Sequence, residues 1–262
     1  MEAKALSYTA SVSSVQTRLS WFHQFGLLLR VLVTDIRSAA PFLLLMGIVL
    51  PLGLFWIMNK YVGVGPESHW LLAGNIVMTV SFGSVSFSIQ RTALMKIEGE
   101  LDYYGSLSVH KGAFMAAVFV ESIIFAIPAL LSSLVIGYVF LGVPLATLLI
   151  VAPIAMLAAS SMTIVGNTLG SHAKHMGHFA IFSYLPYLAV TFLSPVLLPL
   201  EQLPVFLKIT SYLLPTGEAA LVLTEVLNNT FEMKFWIFLG ALLLWLFIAI
   251  FIASRKLDWR SN

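Results

Sequence analysis

The chain has 262 residues, of which 59% are hydrophobic and 10% charged. A soluble domain carries ~25% charged residues, so this composition excludes a water-facing globule and fits lipid as the solvent. A net charge of +2, with the basic residues scattered, excludes a nucleic-acid-binding arm, and the absence of cysteine excludes disulfides, thiol catalysis and Cys-ligated metal.

Residues 1–20 lack a basic start, an apolar core and a small-residue cleavage site in succession, so they do not read as a signal peptide. Residues 16–38 predict an amphipathic helix. Trp21, Phe25, Leu28, Leu32 and Ile36 recur at steps of three and four, while Gln16, Ser20, His23, Arg30, Thr34 and Arg37 recur on another face. Arg30, Asp35 and Arg37 are costly in hydrocarbon. That favours a helix lying in the membrane interface, anchored by Trp21 and Phe22, over the alternative, a simple extension of the first span.

The first span is expected at 39–58, with Pro41 in its first turn and Pro51 as a kink. A loop follows over 59–69, then a second span at 70–89 whose Gly, Ser and Thr content permits close helix contact. Residues 90–112 form the first long polar break. The third span, 113–140, contains Glu121 and Pro128, and a tight turn at 141–144 leads into the fourth, 145–168, with its Ala158-Ala159-Ser160-Ser161 run. A polar turn over 169–178 precedes a fifth span at 179–198. Residues 199–231 are too polar to cross a bilayer and too apolar for a solvated loop. Broken by Pro204 and Pro215, they predict two short helices dipping into the membrane, where protein or a cavity must shield them. The last span is expected at 234–253.

The fold class read from this pattern is all-α: six transmembrane helices, an N-terminal interfacial amphipathic helix, and a broken re-entrant helix pair between spans 5 and 6. The domains are 1–38, the N-terminus with its interfacial helix; 39–253, the membrane domain; and 254–262, the tail. With a cytoplasmic N-terminus, eleven of the 14 Lys and Arg fall in cytoplasmic segments, and only Lys60, Lys208 and Lys234 fall outside. The positive-inside rule therefore puts both termini and the 90–112 break in the cytoplasm and the 199–231 segment outside.

Few residues suggest chemistry. Glu121 is the one acid predicted inside a span, either as a polar contact in a pathway or with another helix, or as a carboxylate reaching headgroups or pairing with an N-terminal basic residue. His172, His175 and His178 stand at metal-compatible spacing, but no fourth ligand is evident and a polar turn is the favoured reading. No G-x-S-x-G elbow and no G-x-x-x-x-G-K-[ST] loop occurs, so nucleotide must be bound elsewhere. Met156, Met162, Phe182, Tyr184, Tyr187 and Phe192 could line a greasy path or simply pack.

Two segments carry a resemblance. In Met95–Lys111, residues Glu98, Gly99 and Leu101, then Leu107 and Lys111, form an acidic-glycine-leucine run, a leucine turn and a basic residue entering the third span. Ile97 stands where an arginine is usual, and Ser108-Val109 where Pro-Val is usual. In the second segment Pro199, Leu203 and Pro204 form P-x-x-x-L-P, and Tyr212 and Pro215 form Y-x-x-P. With the six-span layout, these resemble the ABC-2 type permeases, the type V exporter fold shared with ABCG transporters.

The resemblance implies a transport subunit that is not itself an enzyme and binds no cofactor. ATP and Mg would sit on two separate ABC ATPase subunits, and a second permease subunit would complete a homodimer or heterodimer in the plasma (inner) membrane. Glu98, Gly99, Glu100, Leu101, Asp102, Leu107 and Lys111 would dock on the ATPase; a solvated acidic loop is the alternative. Asn75, Thr79, Phe82 and Ser86, with Tyr184, Tyr187 and Thr191, would line the substrate pathway, helix packing being the alternative for each. Pro199, Leu203, Pro204, Tyr212 and Pro215 would form the re-entrant gate. The activity implied is export of a hydrophobic or amphipathic substrate (drug, antibiotic, peptide or lipid-linked molecule) by alternating access. Rival readings are a membrane-embedded metal-dependent enzyme using His172, His175, His178 and Glu121, and an ion-coupled carrier.

Overall fold

The computed structural model describes residues 20–62, 68–107, 109–173 and 202–256, with positions 181, 185, 188 and 194. Among these, every regular element is a helix: α1 (Trp21–Val62), α2 (His69–Ile97), α3 (Glu100–Ser106), α4 (Lys111–Leu141), α5 (Leu145–Gly170), α6 (Val205–Leu213), α7 (Pro215–Leu227) and α8 (Met233–Lys256). Helices satisfy their backbone groups internally, which is what a chain this apolar needs in lipid. Four are long and apolar enough to cross a membrane: α2, α4, α5 and Met233–Ala253 of α8; the α6–α7 pair, bent by 93°, makes a fifth if counted as one broken span. By length and composition this is a multi-pass membrane protein.

Helices α1 and α4 run one way and α2, α5 and α8 the other. The Gln24 side chain of α1 accepts from the His110 backbone N–H at the start of α4 at 2.7 Å. Lys96 near the end of α2 donates to the Ser171 carbonyl just after α5. At the opposite pole, His69 of α2 meets Asn228 after α7 at 2.8 Å, and Phe55 of α1 packs on Phe140 of α4. One pole, the elbow end, therefore carries α3 and the ends of α2, α5 and α8; the other carries the α1–α2, α4–α5 and α7–α8 turns.

The α2 helix forms the axis of the bundle. In its span 78% of residues are buried, against 17% in α8, so α2 is enclosed by protein while α8 presents most of its surface outward. Leu72, Ile76 and Val80 of α2 pack with Leu130 and Ile136 of α4, Val151 and Ala155 of α5, Leu223 of α7 and Leu242 of α8. Small residues set the close approaches. A Cβ on Gly170 would lie 2.7 Å from the Ile89 carbonyl oxygen, and one on Gly47 would lie 2.6 Å from Pro128 Cβ. Both are inside van der Waals contact, so each glycine lets two backbones touch. Val135, Tyr138, Leu149, Ile237, Leu244 and Phe247 are exposed, forming apolar outer surface on α4, α5 and α8.

Several expected boundaries moved. No break separates an interfacial helix from the first span: Trp21–Val62 is one 42-residue helix. The junction Arg37-Ser-Ala-Ala contains no glycine, and Pro41 removes only one hydrogen bond. Leu28 and Leu32 are buried against Met95, Leu101, Phe114 and Val118, so the apolar stripe read as facing the interface covers protein. Among the described side chains there, Trp21, Phe22, Leu27 and Val31 are the exposed large apolar residues. The loop expected from Asn59 is helical through Val62, and the polar break expected from Gln90 is helical through Ile97. Helical geometry continues past the apolar stretch because Arg91, Thr92 and Lys96 find partners on neighbouring helices. The two short helices expected in 199–231 are present as α6 and α7. Of the expected fifth span only Ile181, Leu185 and Leu188, helical and exposed, and Ser194 are described.

Candidate functional site

The elbow between α2 and α4 holds an ion-paired polar group. The α2 helix ends at Glu98, whose N–H reaches the Leu94 carbonyl at 2.9 Å. Gly99 then takes φ +79°, a left-handed conformation that costs an L-residue about 1–2 kcal/mol and glycine nothing. The turn launches α3, whose Leu101 and Gly105 are buried while Asp102, Tyr103 and Ser106 face outward. Leu101 joins Leu28, Leu32, Met95 and Phe114 in one cluster, so α3 is wedged between the start of α1 and the start of α4.

Arg91 connects this wedge to the bundle. Its Nε lies 3.5 Å from Glu121 Oε1 on α4, and one terminal nitrogen lies 4.0 Å from Glu100 Oε2 on α3. Glu121 is 1% exposed and the Glu100 side chain 38%, so the two arms differ in kind. The inner pair is sheltered from water; the outer pair is wet and weak. Arg91 thereby makes a buried ion pair to α4 and a solvent-exposed one to α3.

Beside it, α2 and α5 are joined by hydroxyl and amide contacts. Ser88 Oγ donates to the Thr163 carbonyl at 2.8 Å, and Ser88 and Thr92 both meet the Asn167 amide. Gly166 and Gly170 allow this proximity. At the α4 N-terminus, His110 Nδ1 accepts from the Gly112 N–H at 3.1 Å. A cavity of about 740 Å³ opens here between α4, α5 and α8, lined in part by Lys111, Phe119, Ile164 and Ile250.

The expected coupling residues separate into distinct roles. Glu98, Asp102 and Leu107 lie on the outer surface; Gly99 makes the turn; Glu100 faces Arg91; Leu101 is core; and Lys111 lines the cavity. Tyr103, 61% exposed on the outward face, was not singled out, nor was Arg91. The sequence signal for Arg91 was its place one helical stretch past an apolar run, opposite a lone intramembrane acid. The expected pathway residues Asn75 and Thr79 are buried in helix packing. Asn75 Nδ2 donates to the Pro51 carbonyl at 2.9 Å and its Oδ1 accepts from Ser133 at 3.1 Å, while Thr79 donates to the Asn75 carbonyl at 2.7 Å. Phe82 and Ser86 are half-buried. Tyr184, Tyr187 and Thr191 lie outside the described residues.

Within the expected gate, Pro199 is outside the described residues. Leu203 is buried, Pro204 precedes α6, Tyr212 stacks on Phe238 at 5.9 Å, and Pro215 opens α7. The fold-back depends on Gly217, where a Cβ would lie 1.9 Å from the Ser211 carbonyl oxygen. Next to it Glu218 is 4% exposed, with no hydrogen-bond partner for Oε2. His172 donates from Nδ1 to the Thr168 carbonyl at 2.7 Å at the end of α5. His175 and His178 lie outside the described residues, and among the described residues no group of three metal-ligating side chains converges.

These features define a class, a helical multi-pass membrane protein with an ion-paired elbow at one pole and a sharply bent helix pair before its last span. No known protein-family model matches the chain, and no curated protein is significantly similar to it in sequence.

Proposed function

We propose that the chain is the membrane permease subunit of an ATP-driven exporter of the ABC-2 type, working as a dimer with two separate ATPase subunits. In this reading the described helices and the 179–198 segment make six spans, both termini are cytoplasmic, and the elbow faces the cytoplasm of a plasma membrane. The observation that carries the reading is the elbow itself. A two-turn helix with an acidic and aromatic outer face is wedged against three long helices and linked by Arg91 to the buried Glu121. A force applied to such a wedge by a closing ATPase dimer moves α1, α2 and α4 as a body. The outer gate would be the α6–α7 pair, and the cargo a hydrophobic or amphipathic molecule.

A photo-crosslinking residue placed at Tyr103 in native membranes tests this. The expected product is a P-loop ATPase identified by mass spectrometry, with ATPase activity stimulated in the isolated complex. Capture of no such ATPase, with no association on co-purification, overturns the reading.

One observation favours a second reading, the ion-coupled carrier: the buried Glu218 carboxyl with an unpartnered oxygen in the bent pair. Transport that is driven by an imposed proton gradient without ATP, and abolished by Glu218→Gln, would select it.

A further inference from the structure

The bend between α6 and α7 closes beside a buried acid. A single residue, Leu214, is extended (φ −105°, ψ 137°) between the two helices. Pro215 follows and has no N–H with which to carry the α6 ladder onward, so Leu214 is a one-residue hinge. The arms touch next to it, where the Ser211 carbonyl oxygen occupies the space a Cβ on Gly217 would need. The Thr216 and Ser194 hydroxyls share a hydrogen bond at 2.6 Å, and Tyr212 stacks on Phe238 of α8. Glu218, the residue after Gly217, is buried, and its Oε2 has no hydrogen-bond partner.

Among the described elements, α2, α5, α6 and α8 pack on α7. The α5 sequence contains no ionisable residue. Those of α2 and α8 stand toward the helix ends. His69 meets Asn228 and Lys234 opens α8 at one pole, while Arg91, Lys96, Arg255 and Lys256 belong to the elbow end. Glu218 precedes Asn228 by about 15 Å of helix at 1.5 Å per residue, so it lies between the two charged levels. Glu225 of α7 is nearer the Asn228 end and accepts from the Thr230 hydroxyl. From α6 come Tyr212, turned onto Phe238, and Lys208, half-buried one turn before Ser211. A buried carboxylate left without a partner is far more costly than the neutral acid. The closed bend therefore suits the protonated side chain, and the charged one calls for water that only separated arms admit.

We propose that Glu218 is a proton latch on the bent pair: as the neutral acid it lets α6 and α7 close, and on releasing its proton to water it opens the Leu214 hinge. The latch carries nothing across the membrane, so it stands whether the chain is an exporter or an ion-coupled carrier. The cysteine-free chain accepts spin labels at Phe206→Cys on α6 and Glu232→Cys beyond α7, both exposed. Double electron–electron resonance on the labelled full chain in nanodiscs, at about pH 5 and about pH 9 to bracket the titration of buried carboxyls, reads the hinge. One distance is expected at the lower pH. At the higher pH a second population should appear, longer by about 5 Å, the swing of a ~13 Å helix arm through ~20°. Glu218→Gln, or Glu218→Leu if the first is not monodisperse, holds the low-pH distance at both values, and Lys208→Gln leaves the response in place. An unchanged distance in the labelled chain with native Glu218 overturns the proposal. So does a shift that survives the Glu218 substitution, or one lost in Lys208→Gln, which would place the switch on the α6 cation.

Discussion

Replacing Arg91 by Met keeps most of the aliphatic stem and deletes the charge. Glu121, 1% exposed, is then left as a buried carboxylate without its cation, a change that costs about 3–5 kcal/mol. At the roughly 2–4 °C per kcal/mol of a chain this size, the melting temperature in detergent should fall by roughly 6–20 °C. Glu100→Gln cuts the wet arm of the same network, where the side chain is 38% exposed and 4.0 Å away, and should cost about 0–1 kcal/mol. Removing both charges of the inner pair, Arg91→Met with Glu121→Gln, should recover much of the loss, because no uncompensated charge remains. The cycle of single and double variants, read by thermal unfolding of the purified protein, should give a coupling energy of about 2–3 kcal/mol. Equal, small effects for Arg91→Met and Glu100→Gln, or strict additivity of the inner pair, would refute the division into a buried and an exposed arm.

Tyr103→Ala, on an exposed face, should leave stability within about 0.5 kcal/mol while abolishing co-purification of the ATPase; a folded variant that still co-purifies with the ATPase would contradict the docking assignment. Gly99→Ala meets no atom within 4 Å, so its cost is conformational only, about 1–2 kcal/mol, and should appear as a modest drop in melting temperature. Gly217→Ala places a carbon 1.9 Å from the Ser211 carbonyl oxygen and should prevent the α6–α7 fold-back, read as loss of monodisperse protein on size-exclusion chromatography. Asn75→Ala removes the donor to the Pro51 carbonyl and the acceptor for the Ser133 hydroxyl. It should cost about 1–3 kcal/mol, read as a lower melting temperature of the purified protein.

The periodicity and length of the apolar runs placed the cores of α2, α4, α5 and α8 within a few residues, and Pro204 and Pro215 marked the bent pair. Composition alone misplaced the ends. Apolar content stops near Ile89, but hydrogen bonding does not, because Thr92 and Lys96 are satisfied by Asn167 on α5 and Ser171 just after it, and such partners are invisible one helix at a time. The same blindness applies to Leu28 and Leu32, whose stripe suits a lipid surface and a protein surface equally; only the position of α3 decides between them. Glu121 was legible as a costly acid, whereas its partner was not, since Arg91 lies 30 positions earlier in a segment read as loop. The Gly166-Asn-Thr-Leu-Gly170 spacing was a readable packing signal that the flanking Ala-Ala-Ser-Ser run overshadowed.

The natural chain has no cysteine, so single cysteines report sidedness without background. Tyr103→Cys, on the outer face of α3, and Glu232→Cys, exposed at the opposite pole, should be treated with a membrane-impermeant maleimide on intact cells and again after permeabilisation. A cytoplasmic elbow predicts labelling of position 232 in intact cells and of position 103 only after permeabilisation. Labelling of position 103 from outside would contradict the account, because no cytoplasmic ATPase could then reach α3.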